Sequence, residues 1–371
     1  MALVRQFQLA LVPVVGGARL AKRLTVRTGA TLLAIAMVFG LCTLPAGAAT
    51  GSGSNLTTSP VSVTLSGMPG ETVTTYLQLQ NNGLNPTPIQ VKLEKFRASG
   101  DLGQAAIYDP GSNDLSMSWV HFSDTSFIAQ PGVWKQIKMT IIIPETAAFG
   151  YYYAVVFSPV AKTSPIPGNN AFRGANAILV LLNVRTPGEK NQLQIASFSA
   201  AQNIYQYLPV SFSVKIRNMG DIYAAPRGDI YISAGDGSGK TLDTIELNKA
   251  QGNVLPGTDR VFALTWDDGF PRYVTKRLNG QIVSDAKGQP QTELSWDLSK
   301  LSHLRFGRYT ARLVMVYNDG VRDIPLTASV SFWVIPWSIL LVMLVVAALV
   351  GLGLWSVVRV VVRRPRRIHL G

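Results

Sequence analysis

The sequence predicts an all-β protein: two tandem immunoglobulin-like β-sandwich domains, preceded by an N-terminal signal helix and followed by one C-terminal transmembrane helix. Three observations predict it. Between residues 60 and 334, apolar residues recur with a period of two in short runs punctuated by Gly, Pro, Asn and Asp. The same succession of turn motifs occurs twice along that stretch. Each end of the chain carries an uncharged apolar run flanked by basic residues.

Residues 1–48 read as a signal peptide. Arg5, Arg19, Lys22, Arg23 and Arg27 make a basic start without an acid, the apolar run Thr28 to Leu44 follows, and small residues appear at Ala46, Gly47 and Ala48. An uncleaved anchor is the rival reading. Residues 49–59, including Gly51 to Ser59, read as a flexible lead-in.

The first sandwich is expected over 60–188. Val61, Val63 and Leu65 alternate with Ser62, Thr64 and Ser66; Val73 to Gln80 and Ile89 to Phe96 do the same. Lys138 to Ile143 and Tyr151 to Phe157 are more continuously apolar, as strands buried on both faces would be. The second sandwich is expected over 189–334, with Val210 to Arg217 alternating over four apolar positions and a polar insert at 267–305. The two blocks repeat one pattern. Asn81-Asn-Gly83 and Asn218-Met-Gly220 each end a strand, Pro131-Gly132 and Pro256-Gly257 each precede one, and Phe149-Gly150 and Phe306-Gly307 open the next. Asn and Gly at such corners tolerate the positive φ that a tight turn demands.

Residues 335–358 read as the transmembrane helix. Trp337 to Val358 lacks a charge and spans ~33 Å as a helix, matching the ~30 Å hydrocarbon core. The tail 359–371 carries Arg359, Arg363, Arg364, Arg366 and Arg367, which hold it in the cytoplasm and place residues 49–336 outside. Trp333 and Trp337 fall at the outer membrane interface and Trp355 at the inner one, with Arg359, Arg363 and Arg364 among the inner headgroups.

The net charge of +13 does not signal nucleic-acid binding. Ten of the 34 lysines and arginines lie in the leader and tail, leaving 24 against 21 acids, a net +3 outside. The single cysteine, Cys42, sits in the leader behind Phe39-Gly-Leu41, which is no lipobox, so the exterior has neither disulfide nor thiolate metal site.

Catalytic and ligand motifs fail one by one. Ala234-Gly-Asp-Gly-Ser-Gly-Lys-Thr241 resembles a phosphate-binding loop, but Ala234 stands where Gly is required and a strand, not a helix, follows. Arg227-Gly-Asp229 opens a strand. His121 and His303 lie in different blocks without a metal-binding spacing. Asp267-Asp268 and Asp319/Asp323 read as solvated turns. No cofactor and no enzyme activity is expected. The aromatics are the candidate ligand-binding residues: Trp119, Trp134 and Tyr152, the last pointing outward if Tyr151 and Tyr153 point in.

The layout resembles the WxL-interacting proteins of bacterial surfaces. The resemblance rests on Leu65-Ser-Gly-Met-Pro-Gly70 leading to Tyr76-Leu-Gln-Leu-Gln-Asn81, on Pro131-Gly132, Pro144-Glu145 and Gly150-Tyr-Tyr-Tyr-Ala, on Ile216-Arg-Asn-Met-Gly220 and Gly307-Arg-Tyr309, and on Phe332-Trp-Val-Ile-Pro-Trp337 before the anchor. It implies a non-catalytic surface protein that holds cell wall glycan (peptidoglycan) or a surface protein through the first domain, with membrane lipid around the anchor and no nucleic acid. The alternative is a structural or chaperone-like subunit of a secretion or surface-assembly machine that clamps clients at sheet edges. A wall hydrolase is the third reading; it requires two carboxylates across a cleft.

Overall fold

The computed structural model describes residues 55–160 and 175–362. The expected signal helix, Cys42, and the tail residues Arg363 and Arg364 lie outside the described residues. Within them the chain is mostly β, with two short 3-10 helices and one long apolar helix at its C-terminal end.

The first block comprises β1 (Leu56–Ser59), β2 (Ser62–Gly67), β3 (Thr72–Asn81), β4 (Thr87–Ser99), β5 (Gln104–Tyr108), β6 (Val120–Phe122), β7 (Ser126–Ala129), β8 (Trp134–Ile142), β9 (Phe149–Pro159) and β10 (Asn176–Val184). They form two sheets, ordered β1-β3-β8-β6 and β2-β10-β9-β4-β5, with β7 added to β4. The period-two pattern turns one face of each sheet inward. Leu77, Leu79, Ile137, Met139 and Ile141 of one sheet meet Tyr153, Val155, Phe157, Ile178 and Val180 of the other, all close to fully buried.

The lead-in expectation needs correction at Leu56–Ser59. These residues pair with β3 from Asn81 back to Gln78, and Asn176 Nδ2 donates to the Leu56 carbonyl at 2.5 Å. A buried Leu56 and a free β3 edge outweigh the flexible composition. Pro60 has no N–H to offer, so this ladder stops and the chain crosses to the other sheet, where β2 runs parallel to β10.

The second block comprises β11 (Leu193–Ala200), β12 (Ile204–Tyr205), β13 (Val210–Asn218), β14 (Arg227–Ala234), β15 (Thr241–Glu246), β16 (Asp259–Trp266), β17 (Arg272–Thr275), β18 (Arg277–Leu278), β19 (Gln281–Ile282), β20 (Thr292–Ser295), β21 (Gly307–Asn318) and β22 (Asp323–Val334). Its main sheets are β11-β13-β16 and β12-β22-β21-β14-β15. The wiring repeats that of the first block. An opening strand pairs with the second sheet-forming strand, then a short strand switches sheets and runs parallel to the last one, β12 beside β22. The second core is built on Trp266, fully buried and ringed by Tyr309 at 5.3 Å and Phe332 at 6.0 Å.

The repeated Asn-x-Gly and Pro-Gly signatures prove to be one device used twice. Asn81 is buried; its Nδ2 donates to the carbonyls of Asn85 (2.8 Å) and Ala129 (3.0 Å), and its Oδ1 accepts from Gly83 N (2.9 Å). Asn218 does the same with Ile222 (2.7 Å), Val254 (2.8 Å) and Gly220 (2.8 Å). The main-chain carbonyl of each then accepts from the Pro-Gly glycine, Gly132 at 2.7 Å and Gly257 at 3.0 Å. Each asparagine therefore ties its own turn to the Pro-Gly loop, with its side-chain bonding directed mainly at main chain.

Between β16 and β21 lies the insert. It folds as two ribbons, β17 with β20 and β18 with β19, followed by a 3-10 helix at Leu298–His303. It is less polar in effect than its composition, because several of its leucines and a tryptophan face outward. After β22 comes α1 (Trp337–Val362), of which Trp337–Arg359 is long and apolar enough to cross a membrane.

Candidate functional site: the junction of the two blocks

Alternation along β9 sends Tyr151, Tyr153, Val155 and Phe157 to the core of the first block and Tyr152, Ala154 and Val156 to the outer face. That outer face is not solvated. Phe96, Ala154, Val156 and Leu181 are buried there together with Tyr152 and Leu179, under Tyr223 and Leu255 of the second block. The continuous apolar run of β9 is thus explained: one face serves its own sandwich and the other serves the neighbouring one.

Tyr152 is consequently corrected as a ligand platform. Its ring lies edge-on to Phe96 at 5.9 Å, and burial pushes its hydroxyl pKa up. The hydroxyl lacks a well-formed hydrogen bond, although the Tyr223 main chain lies beside it.

A second contact locks the blocks. The tip of the β4–β5 hairpin reaches across, and the Asp101 carbonyl accepts from Val261 N at 2.6 Å while its carboxylate meets Lys215 at 3.2 Å. Arg260 fills the seam. Its guanidinium donates to the Asn253 carbonyl at 2.7 Å and lies 5.4 Å from the Phe262 ring. It is flanked by a glycine from each block: a Cβ on Gly103 would sit 2.4 Å from its Cζ, and one on Gly252 would sit 2.6 Å away. Gly103 also needs its glycine for φ +74°. Burial lowers the Arg260 pKa, yet arginine stays charged. Among the described residues no carboxylate lies within ion-pair distance of it; the adjacent Asp259 is engaged by Arg217 at 2.9 Å and Lys215 at 3.6 Å.

Beside this buckle the blocks leave a cleft of about 270 Å³, lined by Val61, Phe96, Leu179, Leu181, Leu255 and Arg260. Gln104 and Ala105 of β5 form part of its rim. β5 is an outermost strand, exposed along most of its length. The cleft offers an apolar floor, one unpaired cation and an open row of main-chain groups. That arrangement can hold an extended peptide segment; it contains no nucleophile–base pair.

The other expected ligand residues do not join it. Trp119 is half-buried against Tyr151, ring centroids 4.7 Å apart. It belongs to a packed end of the first core, where Lys95 pairs with Asp114 at 2.6 Å and lies over Tyr151 and Tyr153. Trp134 is exposed, but it stands on the outer face of the other sheet, opposite Gln80. The three aromatics therefore sit on three different surfaces. Trp333, Trp337 and Trp355 are all exposed, and the Arg359 guanidinium lies 5.3 Å from the Trp355 ring. Asp268 is not a solvated turn residue as expected: it bonds His303 Nδ1 at 2.5 Å and Arg305 at 2.6 Å. Burial raises the Asp268 pKa, but these two partners outweigh it and hold the carboxyl below its usual range. The phosphate-loop look-alike is the β14–β15 hairpin, with Asp236 accepting from Ser238 N at 3.0 Å. Among the described residues no three His, Cys, Asp or Glu side chains are placed to hold a metal.

No signal for the contact between Gly103 and Arg260 existed in the sequence, because the two lie more than a hundred residues apart in different blocks.

No family model matches the chain and no curated protein matches it. Among solved structures it is similar to the class 5 fimbriae chaperone CfaA, at 18% identity over 65% of this chain and 99% of that one, TM-score 0.34. It is also similar to the Pseudomonas aeruginosa CupB2 chaperone (8% identity, 75% and 100% covered, TM-score 0.31) and the E. coli chaperone DraB (9% identity, 73% and 97% covered, TM-score 0.29). The expectation that the first block by itself holds peptidoglycan or a surface protein is withdrawn. Of its three aromatics Tyr152 and Trp119 are engaged in packing, and Trp134 stands alone on another surface.

Proposed function

We propose that the protein is a membrane-anchored, non-catalytic, chaperone-like subunit of a surface-assembly or secretion complex. Two immunoglobulin-like sandwiches, docked on one another outside the membrane, hold an extended segment of a client protein along the cleft between them. α1 is the anchor, with Trp337 and Trp355 at its two interfaces and Arg359 on the cytoplasmic side.

The observation that carries this reading is the edge of β5. Gln-Ala-Ala-Ile-Tyr has no charge, no proline and no glycine, so nothing blocks pairing with another strand. Three other edges among the described residues are guarded. On β15 the Asp243 carboxylate caps Thr244 N–H at 2.8 Å; on β16 the Val261 N–H is taken by Asp101; β11 is broken by an irregularity between Ile195 and Ser197. A client strand added to β5 gains main-chain hydrogen bonds from that edge and places alternate side chains over the apolar cleft, with Arg260 available to an acidic group.

The test is a photo-crosslinker at Ala105 of the full chain in cells, compared with the pair Ala105→Lys and Ile107→Lys assayed by co-purification. Client capture that disappears in the lysine pair and persists in Asp243→Lys on the guarded β15 edge supports the reading. Capture indifferent to charge on β5 refutes it.

A further inference from the structure

The insert places a row of apolar side chains where no protein covers them. Trp296 (54% exposed), Leu298 (72%), Leu301 (58%), Leu304 (43%) and Phe306 (61%) fall within eleven residues. The 3-10 segment Leu298–His303 is kinked at Lys300; Leu298 and Leu301 are exposed on either side of the kink, and exposed Leu304 is its C-cap. Lone exposed leucines are ordinary; five exposed large apolar side chains within eleven residues, a tryptophan and a phenylalanine among them, are not.

The location of the row is fixed by hydrogen bonds. Gly307 pairs with Val334 at the end of β22, which puts Phe306 about 5 Å, one strand spacing, from the residues leading into α1. Tyr207 and Gln206 both bond the hydroxyl of Ser338 in the first turn of α1. The Tyr207 ring meets Tyr273 of β17 at 6.0 Å, and Tyr273 N donates to the Leu208 carbonyl at 2.8 Å. Phe270 N in turn donates to the His303 carbonyl at 3.0 Å. Insert, Gln206–Leu208 loop and helix start are thus tied together, so the row stands at the same end of the block as the point where α1 leaves it. Exposed Ile204, Trp333 and Trp337 lie at this end too.

We infer that the insert is a second membrane contact: the row Trp296, Leu298, Leu301, Leu304 and Phe306 dips into the outer headgroup layer of the bilayer that α1 crosses. This rests on α1 being the anchor. The chemistry fits a lipid surface. A tryptophan and leucines supply the apolar side, while Lys300 and His303 between them can reach lipid phosphates. The acids at the site do not oppose this, because Asp297 caps the 3-10 helix at Ser299 N and Asp268 is paired with His303 and Arg305. Two contacts, a helix and a patch beside it, hold the blocks at a fixed tilt to the membrane, where a single helix would let them swing.

The experiment uses the full chain with Cys42→Ser, reconstituted in phosphatidylcholine vesicles with and without phosphatidylglycerol. An environment-sensitive fluorophore is attached at Leu301→Cys or Leu298→Cys, at Val345→Cys within α1, or at Val321→Cys in the β21–β22 turn, at the far end of those strands. Shallow-doxyl and deep-doxyl lipids are the quenchers. The expected result is blue-shifted emission at positions 301 and 298 quenched most by the shallow label, deep quenching at 345, and neither at 321. Quenching at 345 with none at 301 and 298 overturns the insert contact and leaves the anchor intact. No quenching at 345 overturns the anchor, and the insert contact with it.

Discussion

Replacing Asn218 with alanine removes a side chain that has no solvent exposure and makes three hydrogen bonds, to the Ile222 carbonyl, the Val254 carbonyl and Gly220 N. Each buried bond contributes about 1 kcal/mol net, so the three together contribute about 3 kcal/mol. The Val254 carbonyl keeps a bond from Ala224 N at 3.1 Å, which spares it the full cost of isolation and keeps the total from rising further. Hydrogen exchange on the full chain in detergent reads the effect by region. About 3 kcal/mol corresponds to roughly a hundredfold faster opening of β13 and β16, with β3 and β8 of the first block unchanged. Met219→Ala, one residue along in the same turn and exposed, changes stability by less than about 0.5 kcal/mol. An Asn218→Ala effect below about 1 kcal/mol, or one spread equally over both blocks, would show that the asparagine clamp does not hold the loops as described.

Gly103→Ala forces a methyl group against the Arg260 guanidinium and into an unfavourable φ; protection of the Val261 amide, bonded across the seam to Asp101, then falls while both cores keep theirs. Tyr152→Phe removes a buried hydroxyl without a well-formed partner, so thermal unfolding shows stability unchanged or higher by about 1 kcal/mol, whereas a ligand-contacting tyrosine would give an unchanged melt and weaker binding. The Asp268 cluster gives a pH signature. Its carboxyl has a folded pKa below the unfolded value of about 4, so its stabilisation is complete above about pH 4 and is lost as pH falls through the folded value. Limited proteolysis of the insert therefore accelerates as pH falls below about 4, and Asp268→Asn removes that acid dependence.

Much of the fold was legible in the residues themselves. Alternation named the inward face of β13; on β4 it named Ile89 and Val91, but Phe96 is buried on the opposite face beside Tyr152. The paired Asn-x-Gly and Pro-Gly signatures marked the same loops in both blocks, because a buried amide serving three main-chain partners cannot be replaced by another residue type. The apolar run from Trp337 marked α1 by length alone. β1 was not legible, since Leu56 is its one buried residue and its stability comes from the waiting edge of β3.

Sequence alone determined what each stretch wants to bury, and it even recorded that β9 needs cover on both sides. Only the tertiary structure decided who provides that cover. Burial is a property of distant neighbours: Tyr152 became an interface residue because Tyr223 and Leu255 fold onto it, and Arg260 became a buckle because Gly103, remote in the chain, leaves it room. The site lies between blocks that are separated along the chain, where no local pattern can announce it.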